Sequence, residues 1–124
     1  MKTIVYARTA NASQMWSFNA LPRQIAKCTE VLTRMGLQDA KTLLYQEQHT
    51  GSHLSEMQHS LLSKIRSGDV IIATYPSRIS RNLKELTMFK HKVYSKGAFL
   101  FFAYEVPFQT PPASIASGEL KSTI

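Results

Sequence analysis

Asp69-Val70-Ile71-Ile72-Ala73-Thr74-Tyr75 holds four consecutive apolar residues directly after Gly68. As a strand, it puts Val70 and Ile72 on one face and Ile71 and Ala73 on the other. Both faces are apolar, so both need covering. That is the pattern of a strand in a parallel sheet with helices on its two sides. Three further runs read as strands: Thr3 to Ala7, the shorter Thr42 to Tyr45, and Ala98 to Phe102. They are separated by helix-like stretches. Leu21, Ile25, Cys28, Leu32 and Met35 recur at helical spacing, with Pro22 acceptable in a first turn and Gly36 as a stop. Ser55 with Gln58 has the spacing of a capping box, and Met57, Leu61 and Ile65 supply the stripe behind it. The last helix is expected from about Asn82 to Lys96, with Leu83, Leu86, Phe89 and Val93 inward. Gly36, Gly68 and Gly97 each stand where a helix hands over to a strand.

The expected fold is therefore α/β: three layers, α/β/α, around a mainly parallel four-stranded sheet with right-handed crossovers. The expected domain covers residues 1–106. Residues 107–124, with Pro107, Pro111, Pro112 and many serines and threonines, read as an irregular tail with at most a short helix after Pro112. No repeat or low-complexity tract interrupts the chain.

The formal net charge of +7 and pI of about 9.8 favour a polyanionic partner. No apolar run approaches the roughly 20 residues of a membrane span, and the first residues lack a signal peptide's long apolar stretch. Cys28 is the single cysteine, which excludes an internal disulfide and makes a cytoplasmic location the expectation. No phosphate-cradling glycine loop or dinucleotide fingerprint is present, and no cofactor is expected. His49, His53 and His59 lack cysteine or paired carboxylate companions and read as exposed histidines, not a zinc site. Cys28 reads as a small core residue. Trp16 and Phe18 follow the first strand, where they pack the loop onto the first helix or, less simply, meet a base. The lysines of the last helix read as a solvated face.

In open α/β sheets, ligands bind beyond the carboxyl ends of the strands. Arg8 follows the first strand, and Arg78 and Arg81 follow the third. Composition alone makes all three ordinary surface arginines. A strand order of 2-1-3-4 instead brings them to one crevice, where guanidinium forks suit phosphate oxygens. An Arg8 on the opposite edge of the sheet from Arg78 and Arg81 ends this reading.

A family resemblance sharpens it. Tyr6-Ala7-Arg8 resembles the opening motif of serine recombinases: tyrosine, any residue, arginine, then a hydrophobic residue and the nucleophilic serine. Ser77-Arg78-Ile79-Ser80-Arg81 is similar to their aspartate-arginine-x-serine/glycine-arginine segment. Thr50-Gly51 looks like the serine-glycine after their second strand, and Gly68-Asp69-Val70 like the glycine-aspartate before the third. Gln24 sits where these proteins often carry glutamine, and Glu105 to Ala113 resembles the approach to their long dimerisation helix. The likeness covers about residues 1–114 and implies the resolvase/invertase fold.

In that family a serine attacks a DNA phosphodiester while arginines offset the developing charge. Here the serine's place is taken by Ala10 and the aspartate's by Ser77, and a further arginine expected near the second helix falls close to Ser55. The resemblance therefore implies a phosphate or DNA site of Arg8, Arg78, Arg81, Gln24, Thr9 and Ser13 without strand cleavage. Thr9 and Ser13 are the neighbouring hydroxyls that a displaced nucleophile would need. The chain ends before the long helix and any helix-turn-helix of the family, so docking on a specific DNA sequence is not expected of this chain alone. Three roles follow: a non-cleaving recombinase domain that binds DNA, a protein-interaction module pairing as a homodimer or with an active recombinase, and a recombinase with a displaced nucleophile.

Overall fold

A computed structural model describes residues 1–10, 20–37 and 41–105. The elements are β1 (Lys2–Thr9), α1 (Leu21–Arg34), β2 (Lys41–Gln48), α2 (Glu56–Lys64), β3 (Val70–Ala73), α3 (Pro76–Ile79), α4 (Leu83–Ser95) and β4 (Phe99–Phe102). The sheet order is β2-β1-β3-β4, and every pairing is parallel. All four carboxyl ends therefore lie along one edge.

Alternation along the strands divides the core in two. Val5, Val70, Ile72 and Phe101 pack with Cys28, Val31 and Leu32 of α1. Ile4, Tyr6, Ile71, Ala73 and Leu100 pack with Leu61 and Leu62 of α2 and with Leu86, Phe89 and Val93 of α4. Cys28 is fully buried, and burial pushes its thiol up to about 12. The helix signals behave as local chemistry dictates. Ser55 Oγ accepts from Gln58 N while Gln58 Oε1 accepts from Ser55 N, completing the capping box. Asn82 caps α4 by accepting from Lys84 N and Glu85 N.

Several expectations are corrected. β1 and β2 are longer than Thr3 to Ala7 and Thr42 to Tyr45, because their ladder continues through Arg8↔Glu47 and Thr9↔Gln48. As an edge strand, β2 tolerates the exposed glutamines Gln46 and Gln48, which lie beyond the Tyr45 at which the sequence pattern ends it. The short α3 has no counterpart in the sequence reading. Leu83 is 76% exposed rather than inward. At the first helical position it lies about 60° around the helix from Leu86, off the buried stripe. Ser13, Trp16 and Phe18, and the tail beyond 105, lie outside the described residues.

The opposite, amino edge of the sheet is tied by Asp69, whose carboxylate is almost fully buried. Oδ1 accepts from Lys2 N at 3.0 Å, and Oδ2 accepts from Lys2 Nζ at 2.5 Å and from Arg66 N at 2.8 Å. Burial by itself raises its pKa, but the Lys2 and Arg66 donors outweigh that and hold it below the ordinary carboxylate value. A depressed folded-state pKa gives stability that is present above the unfolded value of about 3.9 and is lost as pH falls through the folded one. Asp69→Asn is expected to cost about 1–3 kcal/mol at neutral pH. It should also flatten the fall in stability below about pH 4. Urea titrations of both proteins at neutral and acidic pH check this. Equal acid sensitivity in the two would contradict it.

Candidate functional site

β1 and β3 are direct neighbours, with Ile4 opposite Ile71 and Val5 opposite Ile72. Arg8 at the end of β1 therefore stands beside the segment that leaves β3, which carries Arg78 within α3 and Arg81 just after it. Arg8 is completely buried, and its guanidinium is held by three backbone carbonyls. Nε donates to Arg78 O at 2.9 Å, Nη1 to His49 O at 2.5 Å and Nη2 to Ser77 O at 2.5 Å. Arg78 returns the contact, donating from Nη1 to Arg8 O at 3.0 Å. Its Nε is buried without a hydrogen-bond partner. Arg81 is exposed at the mouth of this cluster.

Gly51 is the point where these groups meet. Its φ is +82°, and a Cβ built there would lie 2.6 Å from Arg8 Cζ. Only glycine combines that left-handed backbone with so close an approach by a side chain. Its carbonyl accepts from Arg81 N at 2.9 Å and from Ser80 Oγ at 3.2 Å.

Burial lowers the pKa of Arg8, and the charges of Arg78 and Arg81 lower it further. Arg78 is lowered by burial and then by Arg81. The three cations thus sense one another. The carboxylate that Arg8 senses is Glu47, on the adjacent strand position. Glu47 is itself engaged: Tyr6 OH donates to it, and Ser55 Oγ donates to the same oxygen at 2.5 Å. Burial, then Glu47, drives the Tyr6 pKa strongly upward, so the phenol stays protonated and donates. The network runs on through Gln58 Nε2, which donates to Ile79 O at 2.6 Å and so anchors α3.

A family model described as "Resolvase, N terminal domain" matches residues 3–120. The chain belongs to this family. The resolvase fold is also found in solved structures. The N-terminal catalytic domain of TP901-1 integrase aligns with a TM-score of 0.73 at 18% identity, over 85% of this chain and 79% of that one. The C-terminal catalytic domain of ISC1926 TnpA, an IS607-like serine recombinase, aligns with a TM-score of 0.69 at 20% identity, over 92% and 73%. The first ORF in transposon ISC1904 from Sulfolobus solfataricus P2 aligns with a TM-score of 0.64 at 16% identity, over 97% and 78%. No curated protein matches the chain in sequence.

Within this resolvase-type domain the six residues singled out from sequence have different fates. Arg8, Arg78 and Arg81 come together. Gln24 is buried beside them, but its amide faces the Arg8 backbone: Oε1 accepts from Arg8 N at 3.1 Å and Nε2 donates to Arg8 O at 2.8 Å. It positions the end of β1. Thr9 is 5% exposed and Ala10 half-buried, while Ser13 lies outside the described residues. Ser77 contributes its carbonyl to Arg8, and its Oγ lies 3.5 Å from Arg78 Nη2. Ser55, near the place of the family's further arginine, is spent on the helix cap and Glu47. His49 supplies a carbonyl to Arg8, and its Nδ1 accepts from Gly51 N at 3.1 Å. Glu47 is not legible in the sequence, where the strand pattern stops at Tyr45. Gly51 is legible there only as part of a motif. Glu47 is identified only by the β1–β2 register that sets it opposite Arg8, whereas the paired Thr50-Gly51 was the signal for Gly51. Among the described residues, no helix is long and apolar enough to cross a membrane.

Proposed function

We propose that this resolvase-family domain binds DNA by holding a backbone phosphate at Arg81, in the field of the fixed charges of Arg8 and Arg78, and that it does not cut the strand. The observation that carries this reading is a cluster of three guanidinium groups at one end of the sheet, in which the carboxylate that Arg8 senses, Glu47, is already engaged by Tyr6 and Ser55. A phosphate at the mouth offsets that repulsion, and guanidinium forks match its oxygens. Arg8 acts from behind: its donors are on carbonyls, so it contributes charge and rigidity. Arg81 is the group free to move onto the ligand.

The absence of cleavage rests on Ala10 at the nucleophile's place in the family motif. Loss of a nucleophile from a cooperating set costs roughly a millionfold in the best-measured protease case. Thr9 is a poor substitute. By strand alternation it shares the α1 face with Val5, and it is almost fully buried.

Duplex DNA binding is expected to weaken linearly in log K against log salt, and Arg81→Gln should make that slope shallower by about 0.9, the value for one lost phosphate contact. Titration of both proteins across a salt series measures it, and an unchanged slope would remove the phosphate site. Incubation with a nicked trapping duplex, beside a cleavage-competent serine recombinase, should give no covalent protein–DNA adduct. An adduct with this chain would overturn the non-cleaving reading.

A further inference from the structure

Among the described residues, the ion pairs are Lys2–Asp69, Lys27–Glu30 and Arg34–Glu30. On α1, Lys27 and Arg34 share the one carboxylate of Glu30. In the α2/α4 layer on the other side of the sheet, no lysine is in an ion pair among the described residues. With their caps, these two helices carry five lysines, Lys64, Lys84, Lys90, Lys92 and Lys96, against Glu56 and Glu85. Both glutamates occupy first turns. The opposite ends of the helices form a groove lined by His59, Leu62, Ser63, Lys92, Ser95 and Lys96. Two ammonium groups, an imidazole and two hydroxyls thus face one concavity that no carboxylate lines.

The groove is continuous with the arginine cluster along one helix. As the crossover between parallel strands β3 and β4, α4 begins at the carboxyl edge beside Arg81 and ends at the amino edge. Its 13 residues span about 20 Å. Lys84, Met88, Lys92 and Lys96 are spaced four apart, so they make one ridge along it. Lys96 Nζ donates to Leu62 O at 2.5 Å, which closes the end of α2 and leaves two of its three N–H groups for a ligand.

We infer that the Lys84–Lys92–Lys96 ridge and the α2/α4 groove form a second contact for the DNA backbone, extending the path that begins at Arg81. This rests on the reading that DNA occupies the arginine mouth. The recognition is of phosphodiester charge, with the lysine ammonium groups as donors and no base reading; the hydroxyls of Ser63 and Ser95 are already donated to Ser60 O and Lys92 O. It goes beyond the sequence-level reading of these lysines as a solvated face, with which their exposure agrees.

The test is the salt dependence of duplex binding for four proteins: wild type, Arg81→Gln, the double variant Lys92→Gln/Lys96→Gln, and Lys41→Gln as a control on the far edge strand. These lysines and Arg81 are exposed, and circular dichroism verifies that each variant is folded. The double variant is expected to make the slope shallower by about 1.8, two phosphate contacts, while Lys41→Gln leaves it unchanged. A double variant with the wild-type slope overturns the groove and leaves the Arg81 site standing. A changed double variant with an unchanged Arg81→Gln supports the groove and removes the Arg81 site. A Lys41→Gln effect as large per charge as the double variant's would overturn the groove as a specific surface. Displacement of duplex by an acidic peptide, with no salt slope attributable to Lys92 and Lys96, would assign the groove to a protein partner and overturn it as a DNA contact.

Discussion

Gly51→Ala is expected to lower the unfolding free energy by about 3–5 kcal/mol, although it adds one methyl group in a loop. Two costs combine. At a φ of +82°, alanine sits in the left-handed region, which costs roughly 1–2 kcal/mol. The new Cβ would also lie 2.6 Å from Arg8 Cζ and Nη2, well inside contact distance. Arg8 cannot swing aside cheaply, because its guanidinium is buried on the carbonyls of His49, Ser77 and Arg78. Hydrogen bonds to a charged group contribute about 1.5–3 kcal/mol each, so losing even one accounts for the remainder. Gly68→Ala is the natural comparison. Its φ is +89°, but nothing lies within 4 Å of a Cβ built there, so only the backbone cost of roughly 1–2 kcal/mol applies. Urea unfolding of both variants separates the two effects. A Gly51→Ala loss no larger than that of Gly68→Ala would show that the Arg8 contact is not rigid.

Arg8→Met should be equally damaging, by about 3–5 kcal/mol, and by the complementary route. The substitution keeps much of the side chain's bulk but strands one buried and two half-buried carbonyls, and it frees Arg78 from a like charge. The carbonyl loss dominates, because each unsatisfied buried acceptor costs about 1–3 kcal/mol while the repulsion is shared with Arg81. The two substitutions should not add. Once Arg8 is shortened, the methyl at position 51 has room, and the double variant should recover about 0.5–3 kcal/mol relative to the sum. A double-mutant cycle from denaturant midpoints measures this coupling. Strict additivity would mean that Gly51 and Arg8 do not act as one unit. The same cycle bears on function: a domain whose cluster has collapsed should lose the shallow-slope signature of Arg81→Gln, since there is no longer a positioned mouth to remove.

Much of the fold was legible because its determinants are neighbours in sequence. Val70 to Ala73 announced a strand buried on both faces. The Ser55–Gln58 box marked a helix start, and the turn glycines marked handovers. The errors have a common cause. β2 was cut short at Tyr45 because Gln46 and Gln48 are polar, and only pairing with β1 shows why polar residues belong on that edge strand. Leu83 reads as inward because periodicity reports a helical face but not where the neighbouring layer ends.

The site divides along the same line. The arginines and their placement after the first and third strands could be read directly, as could the alanine where the family's serine is expected. How they are held could not. Arg8 reaches carbonyls 41, 69 and 70 residues away, and the Tyr6–Glu47–Ser55 network depends on the β1–β2 register. Sequence by itself determined the described elements other than α3, the family and the excess of positive charge, because these follow from local spacing, motifs and composition. The tertiary structure alone decided which arginine is locked into the backbone and which is exposed at the mouth. That outcome depends on which distant carbonyls arrive beside each guanidinium, and no local pattern encodes it.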